Sequence, residues 1–325
     1  MKRGLCFELV RVTEAAALAV APWRGKGEKE QADQAAVDAM RKALNSIDIK
    51  AEVVIGEGEK DKAPMLYIGE QIGCGLSPKL DIAVDPVEGT NLVANGYPNA
   101  LSVIALAEEG RLLKAPDMYM KKIVVGKKGK GKIDLQSSPT QNIKNTANAC
   151  GKAVSDITVV VLNRPRHQEL IREIRETGAR IKLIPDGDLA GGIAAALDGT
   201  GIDLLMGIGG APEGVLTATA VKCLGGEMQA QLYPVHDYER QQAKKMGIND
   251  LSRVLMTDDL AGGSNLVFAA TGITTGELLD GVMYNGSQVV THSLIIENNN
   301  KIRKLASTHL NKGLDSCFCQ KVINI

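Results

Sequence analysis

The order of apolar and polar positions alternates between two periods. From Leu5 to about Ala21, apolar residues recur at helical spacing. Glu8, Arg11 and Glu14 interrupt the run, so an amphipathic helix is predicted. After the glycine-punctuated polar loop Trp23–Glu30, Ala32, Ala36, Val37, Met40 and Leu44 fall on one helical face. Glu52–Ile55 reads as a strand running into Gly56-Glu57-Gly58-Glu59, and Leu80–Val84 as a strand that Pro86 ends. That ending puts Asp85 at the strand's end and carries Glu88 round the turn that follows. Ala100–Leu106 and Lys122–Val125 read as further strands, Lys127–Lys132 as a solvated turn, and Asn142 to Gly151 as a helix.

Beyond that point strands and helices alternate. Ile157–Leu162 is strand-like, Arg166–Thr177 helical with Gly178 as its stop, and Arg180–Ile184 strand-like. A helix to about Leu197, the strand Ile202–Met206, and Gly207–Glu213 opening another helix follow. Tyr238–Lys245 is a short polar helix, Leu266–Ala270 a strand and Gln288–Glu297 the final strand. This alternation predicts an α/β fold with a parallel or mixed sheet. We expect two intimately fused halves, residues 1–150 and 151–310, with 311–325 as a tail.

Composition narrows the classes. The 325 residues are 44% apolar and only 3% aromatic, so Val, Ile, Leu and Ala must fill the core. Basic and acidic residues number 38 each, which argues against a nucleic-acid footprint. No apolar run reaches membrane-spanning length. The six cysteines (Cys6, Cys74, Cys150, Cys223, Cys317 and Cys319) include no Cys-x-x-Cys pair, and the four histidines form no ligand spacing, which points away from zinc. Reduced thiols in a cytoplasmic protein are expected, with Cys317 and Cys319 free on the tail.

Asp85 and Glu88, three residues apart on a tight bend, can converge on one hard cation. Gly89 lets backbone amides approach an anion, and Thr90 offers a hydroxyl beside it. The alternative for the same residues is an ordinary strand followed by a polar turn, since Asp-Pro and Glu-Gly are common turn pairs. Asp33, in a helix's first turn, has the ordinary alternative of complementing the helix dipole. In the second half Arg164, Arg166, Asp186, Asp188, Gly210 and Glu213 all fall in loops at the C-terminal ends of strands, where α/β folds bind ligands. Gly207-x-Gly209-Gly210 lacks the spacing of a dinucleotide fingerprint. No serine–histidine–aspartate set is apparent, so the acids point to attack by metal-activated water. Arg164 and Arg166 can grip a second phosphate as forked donors, with Arg166 at a helix start. Asp186 and Asp188, with no partner charge in their own block, can accept from sugar hydroxyls. Asp61 can support the attacking water, or is a solvated loop acid.

Asp85-Pro86-Val87-Glu88-Gly89-Thr90 resembles the metal-binding signature of the lithium-sensitive sugar and inositol phosphatases, with Glu88 where most have aspartate. Together with Val54–Glu59, Ala63–Glu70, Ala115–Met120, Pro185–Asp188 and Gly209–Gly214, it resembles the class II fructose-1,6-bisphosphatases, from about Arg11 to about His309. The resemblance implies a layered α-β-α-β-α sandwich and metal-dependent hydrolysis of the 1-phosphate of fructose 1,6-bisphosphate. It implies two or more Mn2+ or Mg2+ ions held by Asp33, Glu57, Asp85, Glu88 and Glu213. Thr90, Lys29 and Asp61 would serve catalysis. Glu88, Gly89, Thr90, Tyr119, Arg164, Pro165, Arg166, Asp186, Gly187, Asp188 and Gly210 would bind the sugar bisphosphate. A homo-oligomer, dimer or tetramer, is also implied. Sedoheptulose-1,7-bisphosphatase activity, alone or alongside, is the alternative, and a catalytically weak sugar-phosphate sensor a second.

Overall fold

A computed structural model describes residues 4–58, 65–298 and 300–310. Asp61, Cys317, Cys319 and the expected tail lie outside the described residues. In chain order come α1 (Leu5–Val20), α2 (Lys29–Leu44), β1 (Lys50–Ile55), β2 (Gln71–Ile72), β3 (Lys79–Glu88), α3 (Thr90–Asn95) and β4 (Leu101–Glu108). Next are β5 (Tyr119–Val125), α4 (Pro139–Cys150), β6 (Thr158–Leu162), α5 (Gln168–Glu176), β7 (Arg180–Ile184) and α6 (Asp188–Ala196). Then follow β8 (Leu204–Gly210), α7 (Ala211–Cys223), β9 (Glu227–Tyr233), α8 (Asp237–Lys245), β10 (Leu255–Met256) and α9 (Thr257–Leu260). The chain continues through β11 (Val267–Gly272), β12 (Met283–Asn285), β13 (Gln288–Glu297) and β14 (Lys301–Leu310). The fold is mixed α/β, as expected. No helix among the described residues is long and apolar enough to cross a membrane.

The chain forms two compact units. One comprises the described residues up to Gly110, Asn265–Glu297 and those from Lys301; the other comprises Arg111–Ser264 with Asn298 and Asn300. The seam thus falls at residues 110–111 rather than near residue 150, because β5 pairs with β8 and β9.

In the first unit the strands form one mixed sheet, ordered β12-β13-β11-β4-β3-β1-β2, with β14 on the other edge of β13. β1 and β3 run parallel, whereas β3, β4, β11 and β13 alternate in direction. Helices α1 and α2 cover one face: Leu9, Ala16, Ala36 and Met40 pack with Val53, Ile82, Ile104 and Ile295. The polar stripe expected on α1 is narrow, since Leu5, Leu9, Val10, Val12, Ala16, Ala17 and Leu18 are all buried. Buried hydroxyls fix that helix on the sheet. Thr13 Oγ1 lies 2.7 Å from Thr271 Oγ1, and Thr291 Oγ1 donates to Glu14 Oε1 at 2.9 Å.

Two expectations fail here. β3 does not stop at Pro86 but continues to Glu88. Asp85 pairs with Val103 and Glu88 with Leu101, so Pro86 and Val87 stand opposite the single residue Ser102. A bulge takes in the proline that cannot donate to the ladder. Glu88 is therefore the last strand residue, not part of the turn. Nor is Gln288–Glu297 the final strand, since β14 returns along it. Its mixed Lys301-Ile302-Arg303-Lys304 start suits an exposed edge.

In the second unit the sheet order is β10-β9-β5-β8-β6-β7. β6 is parallel to β7 and β8, whereas β5 is antiparallel to β8 and β9. The chain steps from β6 to β7 on one side, then back past β6 to β8. Right-handed crossovers put the two connecting helices on opposite faces. Accordingly Ile171 and Ile174 of α5 pack with Val159 and Val161, whereas Gly191 of α6 rests against Val160. Such a reversal of strand order leaves a crevice at the C-terminal ends of the strands. The helix expected from Arg166 begins at Gln168, after the 3-10 turn Pro165–His167. The strand expected to end at Met206 runs on through Gly207–Gly210.

Candidate active site

In the first unit, α2 supplies Asp33 and Lys29, the loop after β1 supplies Glu57, and β3 supplies Asp85 and Glu88. The Glu57 loop is tightly defined. Its amide donates to Leu66 O at 3.0 Å, and a Cβ on Gly56 would lie 2.0 Å from that same carbonyl oxygen. Leu66, fully buried, holds a left-handed φ of 53°. That conformation costs a leucine about 1–2 kcal/mol. The buried Glu70 carboxylate accepts from the Leu66 amide and from Arg41 Nε at 2.6 Å, fixing the strained residue.

The acids meet. Asp33 and Glu57 share a hydrogen bond, and a carboxylate oxygen of Asp85 lies within 4.8 Å of one of Glu88. Burial, then the charges of Asp33 and Asp85, push Glu57 up to about 9. Burial also raises Asp33. Glu57 therefore holds a proton shared with Asp33, which relieves the repulsion among the acids. A divalent cation would relieve it equally, and every donor in this set is a hard oxygen. The residues fit such an ion.

Asp85 Oδ1 accepts from the Val87 amide at 3.0 Å, bridging Pro86. Gly89 takes a left-handed φ of 84° and caps α3, so Thr90 is that helix's first residue. Lys29 Nζ donates to Asn91 Oδ1, next to Thr90.

A prediction follows from the raised Glu57. Its proton stays in the folded protein but leaves the unfolded chain above its ordinary 4.5. Stability from this group is thus full below 4.5 and lost as pH rises through about 9. The melting temperature of chelator-treated protein should fall across that window. Glu57→Gln should flatten the slope; a flat wild-type profile would contradict the assignment.

In the second unit the glycines of β8 each accommodate a polar group. A Cβ on Gly209 would lie 2.0 Å from Asp188 Oδ2 and 3.0 Å from Lys122 Nζ. A Cβ on Gly210 would lie 1.9 Å from Glu213 Oε2, in the first turn of α7. Asp188 opens α6 after Gly187 (φ 74°). It is not without a partner charge, as its own block suggested: Lys122 Nζ sits 2.8 Å from its Oδ2, both side chains buried. Breaking such a pair leaves one uncompensated charge, at a cost of about 3–5 kcal/mol. Asp186 likewise has a partner, Arg164 Nη2 at 3.1 Å.

Arg166 Nε and Nη2 donate to Ile208 O at 3.1 and 2.8 Å, and its guanidinium lies 4.5 Å from the centroid of the Tyr119 ring. Five N–H donors give a guanidinium capacity beyond that one carbonyl. Tyr119 opens β5, opposite Gly210. Pro165 begins the 3-10 turn that carries Arg166.

Sequence reasoning missed Lys122 and His167. Lys122 carried a signal, since it shares a strand face with the buried Met120 and Val124. His167 carried none.

The chain matches the family described as "Bacterial fructose-1,6-bisphosphatase, glpX-encoded" over residues 3–309. It is 47% identical to "Fructose-1,6-bisphosphatase class 2" of Haemophilus influenzae, covering 100% of both chains. It is 44% identical to "D-fructose 1,6-bisphosphatase class 2/sedoheptulose 1,7-bisphosphatase" of Synechococcus sp. (strain JA-3-3Ab), covering 96% of this chain and 97% of that one. An inositol monophosphatase structure from Anabaena (Nostoc) sp. PCC 7120 aligns at a TM-score of 0.32 and 12% identity, over 60% of this chain and 72% of that one, a likeness too distant to bear on function. With near-complete coverage by the family and high identity along its whole length, this chain belongs to the bacterial class 2 fructose-1,6-bisphosphatase family.

Proposed function

We propose that the chain hydrolyses the 1-phosphate of D-fructose 1,6-bisphosphate, giving fructose 6-phosphate and phosphate, as a step of gluconeogenic carbohydrate metabolism. The observation that carries this is the 47% identity over the whole chain to a relative named for that activity. The carboxylates collected in the first unit support it.

In this reading Asp33, Glu57, Asp85 and Glu88 hold divalent cations, and by family resemblance Glu213 is a further ligand. A bound cation supplies Lewis-acid polarisation and a water acidic enough to deprotonate near neutral pH. Oxygen-only ligands favour magnesium or manganese. Thr90 orients the attacking water through its hydroxyl, with Lys29 and Asp61 as neighbouring helpers. Gly89 and Glu88 lie against the phosphate being cleaved. Tyr119, Arg164, Pro165, Arg166, Asp186, Gly187, Asp188 and Gly210 bind the sugar and its second phosphate. A cytoplasmic location and a homo-oligomeric state belong to the same proposal, on family resemblance.

Arg166 gives a direct check of substrate binding. Held on the phosphate that is not cleaved, its contact exists in ground and transition states alike, so its loss raises KM rather than lowering kcat. A charge-assisted hydrogen bond contributes roughly 1.5–3 kcal/mol, so Arg166→Ala should raise KM about 10–100-fold. Arg166→Lys should recover only part, because the fork is lost. A monophosphate substrate lacking the second anion should be nearly indifferent; equal loss on both would move Arg166 to the scissile phosphate.

The name of the Synechococcus relative favours one second reading, activity on sedoheptulose 1,7-bisphosphate. Phosphate release from a sugar-phosphate panel, with magnesium and manganese in parallel, tests both. Turnover of neither bisphosphate would overturn the proposal.

A further inference from the structure

We infer that His167 is a positioning residue for the substrate's uncleaved phosphate, acting through the backbone of Ile208 on Arg166. The inference rests on the proposed role of Arg166.

His167 is 1% exposed, at the end of the 3-10 turn that carries Arg166. Its Nδ1 lies 2.7 Å from Leu162 O, and the Ile208 amide donates to its Nε2 at 2.8 Å. An amide can only donate, so Nε2 must accept, and the proton sits on Nδ1, facing the carbonyl. The ring therefore ties the end of β6 to β8 in one tautomer. The same residue, Ile208, turns its carbonyl to Arg166, which takes it with two N–H groups and lies over Tyr119. Gly207 permits the arrangement. Its φ is +148°, and a Cβ there would lie 3.1 Å from His167 Nε2. His167 thus fixes the backbone of Ile208 through its N–H, and the carbonyl of that same residue, in the next peptide unit, sets the guanidinium.

The imidazole works only when neutral, because a protonated Nε2 would face an N–H donor. Burial lowers its affinity for a proton below the ordinary 6.5. Arg166 and Arg164 act in the same direction, while the Leu162 carbonyl and the Asp188 charge oppose it. Those groups are themselves partnered, Arg164 with Asp186 and Asp188 with Lys122. The bridge is therefore intact at pH 6.5 and above, and is lost only as the pH falls through the lowered value beneath it.

The simpler role is a core histidine that only joins two strands. Two variants separate the roles. In His167→Gln the side-chain oxygen reaches near the Nε2 position and can still accept from Ile208. In His167→Asn the amide reaches only near Nδ1, leaving the Ile208 amide without its acceptor. The measurement is fructose 6-phosphate affinity by calorimetry on the full chain with magnesium, beside KM and kcat on the bisphosphate. His167→Asn should weaken the sugar phosphate and raise KM about 10-fold, with kcat within about 2-fold, and His167→Gln should recover most of the loss. In the double variant with Arg166→Ala, the His167→Asn effect should nearly vanish. Full additivity, an unchanged KM in His167→Asn, or equal defects in Asn and Gln would overturn the inference. Should His167→Asn fail to fold, the pH profile decides. Wild-type affinity should drop below pH 6.5 while that of His167→Gln falls less; identical profiles overturn the inference. An unchanged KM in Arg166→Ala alone would instead reject the phosphate role of Arg166.

Discussion

Asp85→Asn is expected to lower kcat/KM by about 10³-fold or more and to leave the fold intact. The side chain has two tasks that the substitution separates. Its Oδ1 bridges Pro86 by accepting from the Val87 amide, and an asparagine oxygen can take that bond. Its charge, set against Glu57 and Glu88, makes the first unit's carboxylates attractive to a divalent cation. Stabilisation by such a cation is worth several kcal/mol, and each 1.36 kcal/mol is a tenfold change, so the loss is about three decades or more. Glu57 should respond as well. Asp85 is one of the charges raising it, so removing that charge should leave Glu57 easier to ionise. Calorimetric titration with manganese should show weakened binding, while in chelator the melting temperature should fall less than the wild type's as pH rises from 4.5 towards 9. Wild-type metal affinity in Asp85→Asn would refute a ligand role.

Thr90→Ala is the second large effect. Thr90 starts α3 directly after the left-handed Gly89, so its place is set by backbone geometry rather than by its own side chain. Alanine is a good helix former and should keep the turn. Only the hydroxyl is lost, and with it the group proposed to orient the attacking water. We expect kcat to fall by roughly 10²–10⁴-fold with little change in KM, since the contact matters in the transition state. Thr90→Ser should restore most of the rate. An unchanged kcat in Thr90→Ala would reduce the threonine to a turn-former.

The sequence carried some of this openly. The apolar runs of β3, β4 and β6 announced strands because neighbouring strands demand them, and the loops after β6 and β7 announced ligand positions because parallel strands end on one side. Pro86 misled because its local rule, that it ends a strand, is satisfied equally by a bulge. Only pairing with β4 reveals the bulge. The β8 glycines looked like a loop for a similar reason. They are strand residues kept small by what lies against them: the ring of His167, the Lys122–Asp188 pair and the Glu213 carboxylate. Lys122 and Asp188 are 66 residues apart, so no window along the chain could pair them. The meeting of Asp33, Glu57 and Asp85 is equally non-local, and before folding only family resemblance placed them together.

Hydrolysis of fructose 1,6-bisphosphate that depends on divalent cations can be tested in one assay. Purified full-length protein is stripped with chelator, and phosphate release from fructose 1,6-bisphosphate is followed as magnesium or manganese is added back. The expected result is no turnover in chelator, recovery with either ion, and fructose 6-phosphate as the sugar product. Undiminished turnover in excess chelator, or no turnover with any divalent ion, would contradict it.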